Sequence, residues 1–167
     1  IVNCTPKGHA CARCTISGTS FYETVGSAAV VAQQISVSAA GKQTSNTSAI
    51  DSFIAGNSNV APIIYFQPTN QATIYAGTGA NVSQTQGTWH AFESVLSGTN
   101  SAAQIDGVLT NSLNANTNSL PAQRMFICGS FFGTGADLDF GEVGLWGTLS
   151  FSGGNFTALN SNQVAYW

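Results

Sequence analysis

SAAQIDGVLT, residues 101–110, is the stretch that decides the fold class, because it predicts two strands joined by a tight turn. Asp106-Gly107 is the strongest hairpin signal in the chain, since a type I′ turn requires a positive φ at both central residues. Ser101–Ile105 forms one arm of the hairpin, and Val108-Leu109 begins the other. The stretch therefore predicts an antiparallel pair of strands.

The segments on both sides of this hairpin are short and apolar, and they are separated by glycines, of which the chain has 18. Residues 61–66 and 71–76 predict a second hairpin. Residues 27–40 are ambiguous between helix and strand, and residues 155–165 predict a short helix or a terminal arm. Further strands are predicted at 87–96, 125–132, 138–146 and 149–151, with irregular or turn segments at 1–24, 41–47 and 111–119. The pattern predicts an all-β, two-sheet antiparallel jelly-roll sandwich.

The composition predicts one domain, residues 1–167, with a neutral polar surface. Only 7% of the residues are charged, so Ser, Thr, Asn and Gln must form most of the surface, which suits virion fibres, adhesins and secreted lectins. With a net charge of −3 and four Lys+Arg, no basic patch for nucleic acid can form. No run of apolar residues is long enough to span a membrane. The chain begins at Ile1, which indicates a processed form or a fragment.

Three of the four cysteines lie close together near the start of the chain. Cys4, Cys11 and Cys14 are followed much later by Cys128, and an even number outside the cytosol predicts two disulfides with three possible pairings. A zinc site is the alternative, because His9 lies among the first three cysteines. Free thiols are the third possibility. The sequence predicts disulfides, and it leaves their pairing open.

Three motifs stand out in the second half of the chain: residues 87–92 (GTWHAF), 103–107 (AQIDG) and 140–146 (FGEVGLW). In their order and spacing they resemble the concanavalin A-like superfamily, in particular its laminin G-like and pentraxin-like domains. The ending, residues 158–167, is similar to that of such modules in bacterial prophage proteins. The resemblance implies two antiparallel sheets, one of them concave. It also implies a choice of functions, because members bind glycans, bind proteins or hydrolyse glycosides.

Asp137, Asp139 and Glu142 are the sharpest catalytic candidates. Alternate strand residues share a face, so Asp137 and Asp139 point the same way, and a bulge at Gly141 would bring Glu142 to that face. The spacing is similar to the acidic strand of laminarinase-type hydrolases, where two carboxylates act as nucleophile and acid/base. Calcium bound by Asp137 and Asp139 is a second interpretation. We favour a third, in which Glu142 is structural and the aspartates lie in a turn.

Exposed aromatic rings beside amides are the usual platforms for sugars, and Tyr65, Tyr75 and Trp146 are the candidates here. His90 follows a core tryptophan on a strand, which indicates a hydrogen-bonded structural imidazole. We therefore expect a non-catalytic module that binds a glycan or cell-surface receptor in an extracellular or virion-surface protein, as a homo-oligomer or part of a larger assembly. No cofactor is predicted, although calcium is possible. The alternatives are an assembly domain without a glycan ligand and a glycoside hydrolase.

Overall fold

The computed structural model describes residues 2–3, 6–15, 22–23, 34–44, 51–55, 63–67, 69–118, 126–128, 137–147 and 154–167. The described residues form short strands, one 3-10 turn at Gly98–Asn100 and one helix. The strands are β1 Val2–Asn3, β2 Ala10–Cys14, β3 Tyr22–Glu23, β4 Ile35–Gln43, β5 Asp51–Ala55, β6 Ile63–Gln67, β7 Gln71–Tyr75, β8 Gly79–Ser83, β9 His90–Leu96, β10 Ser101–Ile105, β11 Val108–Leu113, β12 Phe126–Ile127 and β13 Leu138–Gly147, and the helix is α1 Gly154–Tyr166.

The strands form two antiparallel sheets, as the sequence predicted. A seven-stranded sheet has the order β1-β2-β13-β4-β9-β10-β11, and a six-stranded sheet has the order β3-β12-β5-β6-β7-β8. The core lies between them, because alternate residues of each strand turn inward. Ile35 and Val37 of the first sheet and Ile64 and Phe66 of the second belong to one buried cluster. The architecture is a jelly-roll sandwich.

Both predicted hairpins are present. Asp106 and Gly107 have φ angles of 49° and 88°, the left-handed geometry that a type I′ turn requires, and they join β10 to β11. β6 and β7 pair across residues 68–70, with Ile64 opposite Ile74. Local turn chemistry was sufficient in both places, because each hairpin is stabilised by neighbours in sequence.

Three predicted irregular segments contain strands. Residues 41–43 continue β4, because that strand is paired on both sides, with Gly41 opposite both His90 and Phe140. β2 lies inside the segment 1–24, and it is ordered by β13, which pairs with it from Leu138 to Phe140. Residues 111–113 extend β11 beyond the predicted arm. For β4 and β2 a partner strand distant in sequence supplies the order that local composition lacks, whereas β11 is extended by pairing with its hairpin neighbour β10.

A disulfide joins the two sheets. Cys14 ends β2 in the seven-stranded sheet, and its sulfur is bonded to that of Cys128, which directly follows β12 in the six-stranded sheet. Cys11 is disulfide-bonded as well, whereas Cys4 lies outside the described residues. The zinc alternative is therefore wrong for Cys11 and Cys14, because a disulfide sulfur is not a thiolate ligand. Within the described ranges, no cluster of three or more His, Cys, Asp or Glu is arranged to hold a metal.

Residues 155–165, for which a short helix and a terminal arm were both open, belong to helix α1, and it lies on the outer face of the seven-stranded sheet, against β9 and β10. Its buried side is formed by Phe156, Asn160 and Gln163, so two of its three most buried side chains are polar. At its C-terminal end, Lys7 Nζ donates hydrogen bonds to the carbonyl oxygens of Val164 and Ala165. A cation there stabilises the helix end. In the part of the chain described, no helix is long and apolar enough to cross a membrane.

Candidate functional site

The outer face of the six-stranded sheet carries two of the predicted aromatic candidates. Residues of β6, β7 and β8 that alternate with core residues must point outward, away from the other sheet. Tyr65 lies opposite Thr73, which lies opposite Asn81, so these three form one row across three strands. We call this surface the tyrosine face, and its members are Tyr65, Gln67, Gln71, Thr73, Tyr75, Gly79, Asn81 and Ser83.

Hydrogen bonds hold the middle of the tyrosine face in place. Gln67 Nε2 donates to Thr73 Oγ1 at 2.6 Å, and Thr73 Oγ1 donates to Asn81 Oδ1 at 2.7 Å. Burial raises the pKa of Tyr65, although hydrogen bonds with Thr73 and Gln67 act in the opposite direction. Tyr65 is therefore a neutral hydroxyl at physiological pH. Tyr65 and Thr73 are buried within this face, whereas Gly79, Asn81 and Ser83 are exposed on it, and none of its members carries a formal charge.

Gly79 leaves a shallow depression between the two tyrosines. A Cβ atom built there would lie 3.3 Å from Thr73 Cγ2, 3.8 Å from Tyr65 Oη and 3.9 Å from Tyr75 Cδ2. Both rings therefore border the same point, and Tyr75 is half-exposed there. A larger residue at position 79 would fill the depression without replacing either ring. The geometry combines an aromatic wall with neighbouring amides, the combination that suits a sugar ring.

Trp146, the third aromatic candidate, is not part of the tyrosine face. It lies on the outer face of the seven-stranded sheet, in β13 opposite Ser36. Its ring covers Gly144, where an added Cβ would come within 2.4 Å of Trp146 Cη2. Trp146 is thus half-buried against its own strand. Alternation along a strand predicted which side chains point outward, but it could not predict which of the two sheets would contain that strand.

The bulge predicted at Gly141 is present and brings Asp139 and Glu142 to one face. The register of β13 against β4 shifts between Phe140 and Glu142, so Asp139 lies opposite Lys42 and Glu142 opposite Ala40. Alternate residues of β4 share a side of the sheet, so both carboxylates point to its outer face. The sequence argument about facing was therefore right. The surroundings of the two carboxylates decide their chemistry.

Asp139 is fully buried, and both of its oxygens are occupied. Arg13 Nε lies 2.6 Å from Oδ1 and Arg13 Nη2 lies 2.8 Å from Oδ2, while Lys42 Nζ lies 3.3 Å from Oδ2. Burial alone would raise the pKa of Asp139, but the hydrogen bonds from Arg13 and Lys42 lower it. Two cations at this carboxylate repel calcium and leave no oxygen for a sugar. These contacts do not support Asp139 as a calcium ligand or as a carboxylate of a glycosidase.

Glu142 and Asp137 complete the acidic motif without forming a cleft with Asp139. Glu142 accepts a hydrogen bond from Gln163 of α1, which lies on the same face. Asp137 precedes β13, and its backbone oxygen accepts a bond from Thr44 N at 2.8 Å. A hydrolase needs its two carboxylates in an open cleft. Asp139 is instead buried in its ion pairs while Glu142 is exposed, so these two carboxylates do not share an open cleft.

His90 is a hydrogen-bonded structural imidazole, as its position after a tryptophan predicted. Its Nδ1 lies 2.5 Å from Asp106 Oδ2, and its Nε2 lies 2.7 Å from the Thr85 carbonyl oxygen. Burial alone would lower the pKa of His90, but the contacts with Asp106 and Thr85 raise it. A cleft of about 430 Å³ opens beside this pair, lined also by Ser83 and Thr110. The role of Asp106 beyond its turn was missed, because it depends on β9.

Solved structures place this fold among known sandwiches. Domain 4 of AbnA, a GH43 extracellular arabinanase from Geobacillus stearothermophilus solved with arabinotriose, has a TM-score of 0.59 at 14% identity, over 81% of this chain and 70% of that one. Mouse laminin α1 domains LG4-5 give 0.56 at 13% identity, over 77% and 39%. Trypanosoma rangeli sialidase, solved with sialic acid, gives 0.55 at 9% identity, over 77% of this chain and 23% of that one.

The fold is a concanavalin A-like jelly-roll sandwich. At this level of identity the likeness establishes the fold and nothing further. The chain spans only 23% of the sialidase and 39% of the laminin fragment. No protein-family model matches the sequence, and no curated protein matches it.

Several members of the tyrosine face in this concanavalin A-like sandwich were not identified from the sequence. Gln67, Thr73 and Asn81 alternate with Phe66, Ala72 and Val82, so the period of two was a usable signal for their direction. Their contact with one another depends on strand register, which a short Thr-Asn turn does not fix by itself. Gly79 could not be identified from the sequence, because it contributes to the depression only by having no side chain.

Proposed function

We propose that this domain is a non-catalytic module that binds a neutral glycan on the tyrosine face. The observation that carries the proposal is the depression at Gly79, bordered by Tyr65 and Tyr75 and by the hydrogen-bonded row of Thr73 and Asn81. A pyranose has an apolar face that stacks on an aromatic ring and a rim of hydroxyls that bond to amides. The tyrosine face offers both kinds of contact within three adjacent strands.

The absence of formal charge on the tyrosine face favours a neutral glycan over a sulfated or sialylated one. Its polar members are amides and hydroxyls, and an anionic sugar would require a cation to replace its lost hydration. Of the described cationic side chains, Arg13 and Lys42 pair with Asp139 on the other sheet, and Lys7 caps α1. None of these three is part of the tyrosine face.

The fold similarities support the class of ligand. Domain 4 of AbnA, of which this chain covers 70%, was solved with arabinotriose, a neutral oligosaccharide. The inter-sheet disulfide suits an oxidising compartment, and we place the protein outside the cell or on a virion surface. A shallow face binds each sugar weakly, so several copies in an oligomer or larger assembly would supply the avidity.

A glycan-array screen of the domain, presented multivalently, tests the proposal. We expect binding to a class of neutral glycans. Tyr75→Ala should weaken that binding about fivefold, because a lost aromatic contact is worth on the order of 1 kcal/mol. Gly79→Leu should abolish it by filling the depression. Tyr166→Ala is the matched control, since Tyr166 is an exposed tyrosine on α1, remote from the tyrosine face, and its loss should leave binding unchanged.

If the domain bound no glycan on the array, the proposal would be overturned and an assembly role would be favoured instead. One feature already fits that second candidate, because β11 lies at the end of the seven-stranded sheet among the described strands and exposes two large apolar side chains. Val108 is 71% exposed and Leu109 is 46% exposed. Exposed apolar residues on an edge strand are sites of association between sheets.

A further inference from the structure

The interface between α1 and the seven-stranded sheet encloses a carboxylic acid that the proposed glycan site does not use. Glu93, in β9, is fully buried on the outer side of the sheet. The strand register places it between Ser38 of β4 and Gln104 of β10. From the helix, Asn160 Nδ2 donates a hydrogen bond to Glu93 Oε2. The carboxyl group is therefore closed in by sheet on one side and by helix on the other.

Three buried side-chain oxygens at this interface have no hydrogen-bond partner within the described part of the chain. They are the Oε1 atoms of Glu93, Gln104 and Gln163. All three side chains are more than nine-tenths buried, and Gln104 lies directly across from Glu93. Oxygen acceptors cannot satisfy one another, whereas a protonated carboxyl adds the O–H donor that is missing. A proton on Glu93 adds one such donor, which is enough for one of the two glutamine oxygens.

The charges around Glu93 are unfavourable to its ionised form. Glu142 faces it from β13 and Asp106 faces it from the turn after β10, and Asp106 is itself paired with His90. The other described neighbours are uncharged: Asn160 of α1 hydrogen-bonds to Glu93, Ser38 and Gln104 lie opposite it in the strand register, and Gln163 bonds to Ser38. The pKa of Glu93 is raised to about 8, mainly by burial. The negative charges of Glu142 and Asp106 also raise it, whereas the hydrogen bond from Asn160 lowers it. The titration therefore falls close to physiological pH.

Helix α1 is attached to the sheet largely through polar contacts centred on this carboxyl group. Asn160 Oδ1 accepts a bond from Gly107 N at 2.5 Å, and Asn160 Nδ2 also lies 3.2 Å from the Ala91 carbonyl oxygen. Gln163 Nε2 donates to Ser38 Oγ and to Glu142. Phe156 is the one fully buried apolar side chain of the described helix. A charge on Glu93 would therefore act on the contacts that hold the helix.

We propose that Glu93 is a proton-operated latch for α1. The helix is docked while the Glu93 carboxyl is protonated, and it is released from the sheet when that proton passes to solvent. Release would carry Trp167 away from Gly141 and uncover the outer face of the seven-stranded sheet. The latch lies on the opposite sheet from the tyrosine face, so it does not depend on the glycan proposal.

Amide hydrogen exchange of residues 154–167 at about pH 6 and about pH 9, corrected for the intrinsic pH dependence of exchange, tests the latch. In the wild-type protein we expect protection to fall at least about tenfold at the higher pH, because the buried carboxylate opposes docking. Glu93→Gln, which cannot ionise, should keep the helix protected at both values. Glu142→Gln is the matched control, and it should keep the transition but move its midpoint to lower pH.

A carbon-13 titration of the Glu93 carboxyl in the wild-type protein keeps the test decisive if Glu93→Gln fails to fold. The latch requires a midpoint near the value of about 8, far from the ordinary 4.5. A midpoint at the ordinary value would overturn it. So would helix protection that stays constant while Glu93 titrates, or a pH dependence that is the same in the wild type and Glu93→Gln.

Discussion

At the residue scale, Asp139 is a buried carboxylate held by Arg13 and Lys42, and its replacement should be costly. Asp139→Ala removes the counter-charge of both cations, and because Arg13 is half-exposed the loss is about 2–3 kcal/mol of unfolding free energy. Asp137→Asn, two residues before Asp139, is the control and should change the unfolding free energy by less than about 0.5 kcal/mol. Urea unfolding near neutral pH measures both. An unchanged midpoint for Asp139→Ala would show that the ion pair contributes nothing.

The pH dependence of the same pair follows from the lowered pKa of Asp139. A carboxylate with a depressed pKa stabilises the fold fully above its unfolded value of 3.8, and that stabilisation is lost as pH falls through the lower folded value. Acid unfolding of the wild type should therefore be steeper than that of Asp139→Asn, which has no such proton to bind. The sequence could not predict this role, because Arg13 lies 126 residues away, in a segment expected to be irregular.

At the element scale, the bulge of β13 and the end of α1 depend on one another. A Cβ atom on Gly141 would lie 2.4 Å from Trp167 Cη2, so the ring occupies the space that any other residue would need. Gly141→Ala should cost about 1–3 kcal/mol by displacing Trp167. In a Trp167→Ala background the same change should cost much less. Thermal unfolding of the double-mutant cycle measures the difference, and equal costs in both backgrounds would contradict the contact.

Elements differed in how well they could be predicted, and the differences have physical causes. The hairpin at Asp106-Gly107 was predictable because its turn chemistry is local. Helix α1 was ambiguous because Asn160 and Gln163 occupy its buried side, so the usual apolar stripe is missing. The end of β4 was assigned to a turn because Gly41 and Lys42 are poor strand formers, and pairing on both sides overrode that preference.

At the scale of the whole molecule, the disulfide between Cys14 and Cys128 ties the two sheets across 114 residues of sequence. Replacing both cysteines by alanine should lower the unfolding free energy by about 2–5 kcal/mol, because the cross-link constrains the unfolded chain. Urea unfolding with and without a reductant checks this. Reduction should cost the wild type at least this much, because it also breaks the disulfide of Cys11, and the double variant should lose only the contribution of that second disulfide. A reductant that has no effect on the wild type would contradict the prediction.

The assembly of the candidate site could be predicted only in part at this scale. The two-sheet sandwich followed from many short strands, and the direction of Tyr65 and Tyr75 followed from alternation. The sequence could not predict that Trp146 lies on a different sheet from Tyr65 and Tyr75, because that depends on the order of the strands in the two sheets. The hydrogen bond from Gln163 of α1 to Glu142 is likewise a contact between separate elements that no local pattern encodes.

The most direct test of the central claim is backbone-amide NMR of the domain titrated with a neutral oligosaccharide selected on the array. The claim predicts that the largest shift changes fall on Tyr65, Thr73, Tyr75 and Asn81 and disappear in Gly79→Leu. The claim would be contradicted if the shift changes were confined to the cleft beside His90 or to the surface under α1, and if Gly79→Leu bound the oligosaccharide as the wild type does.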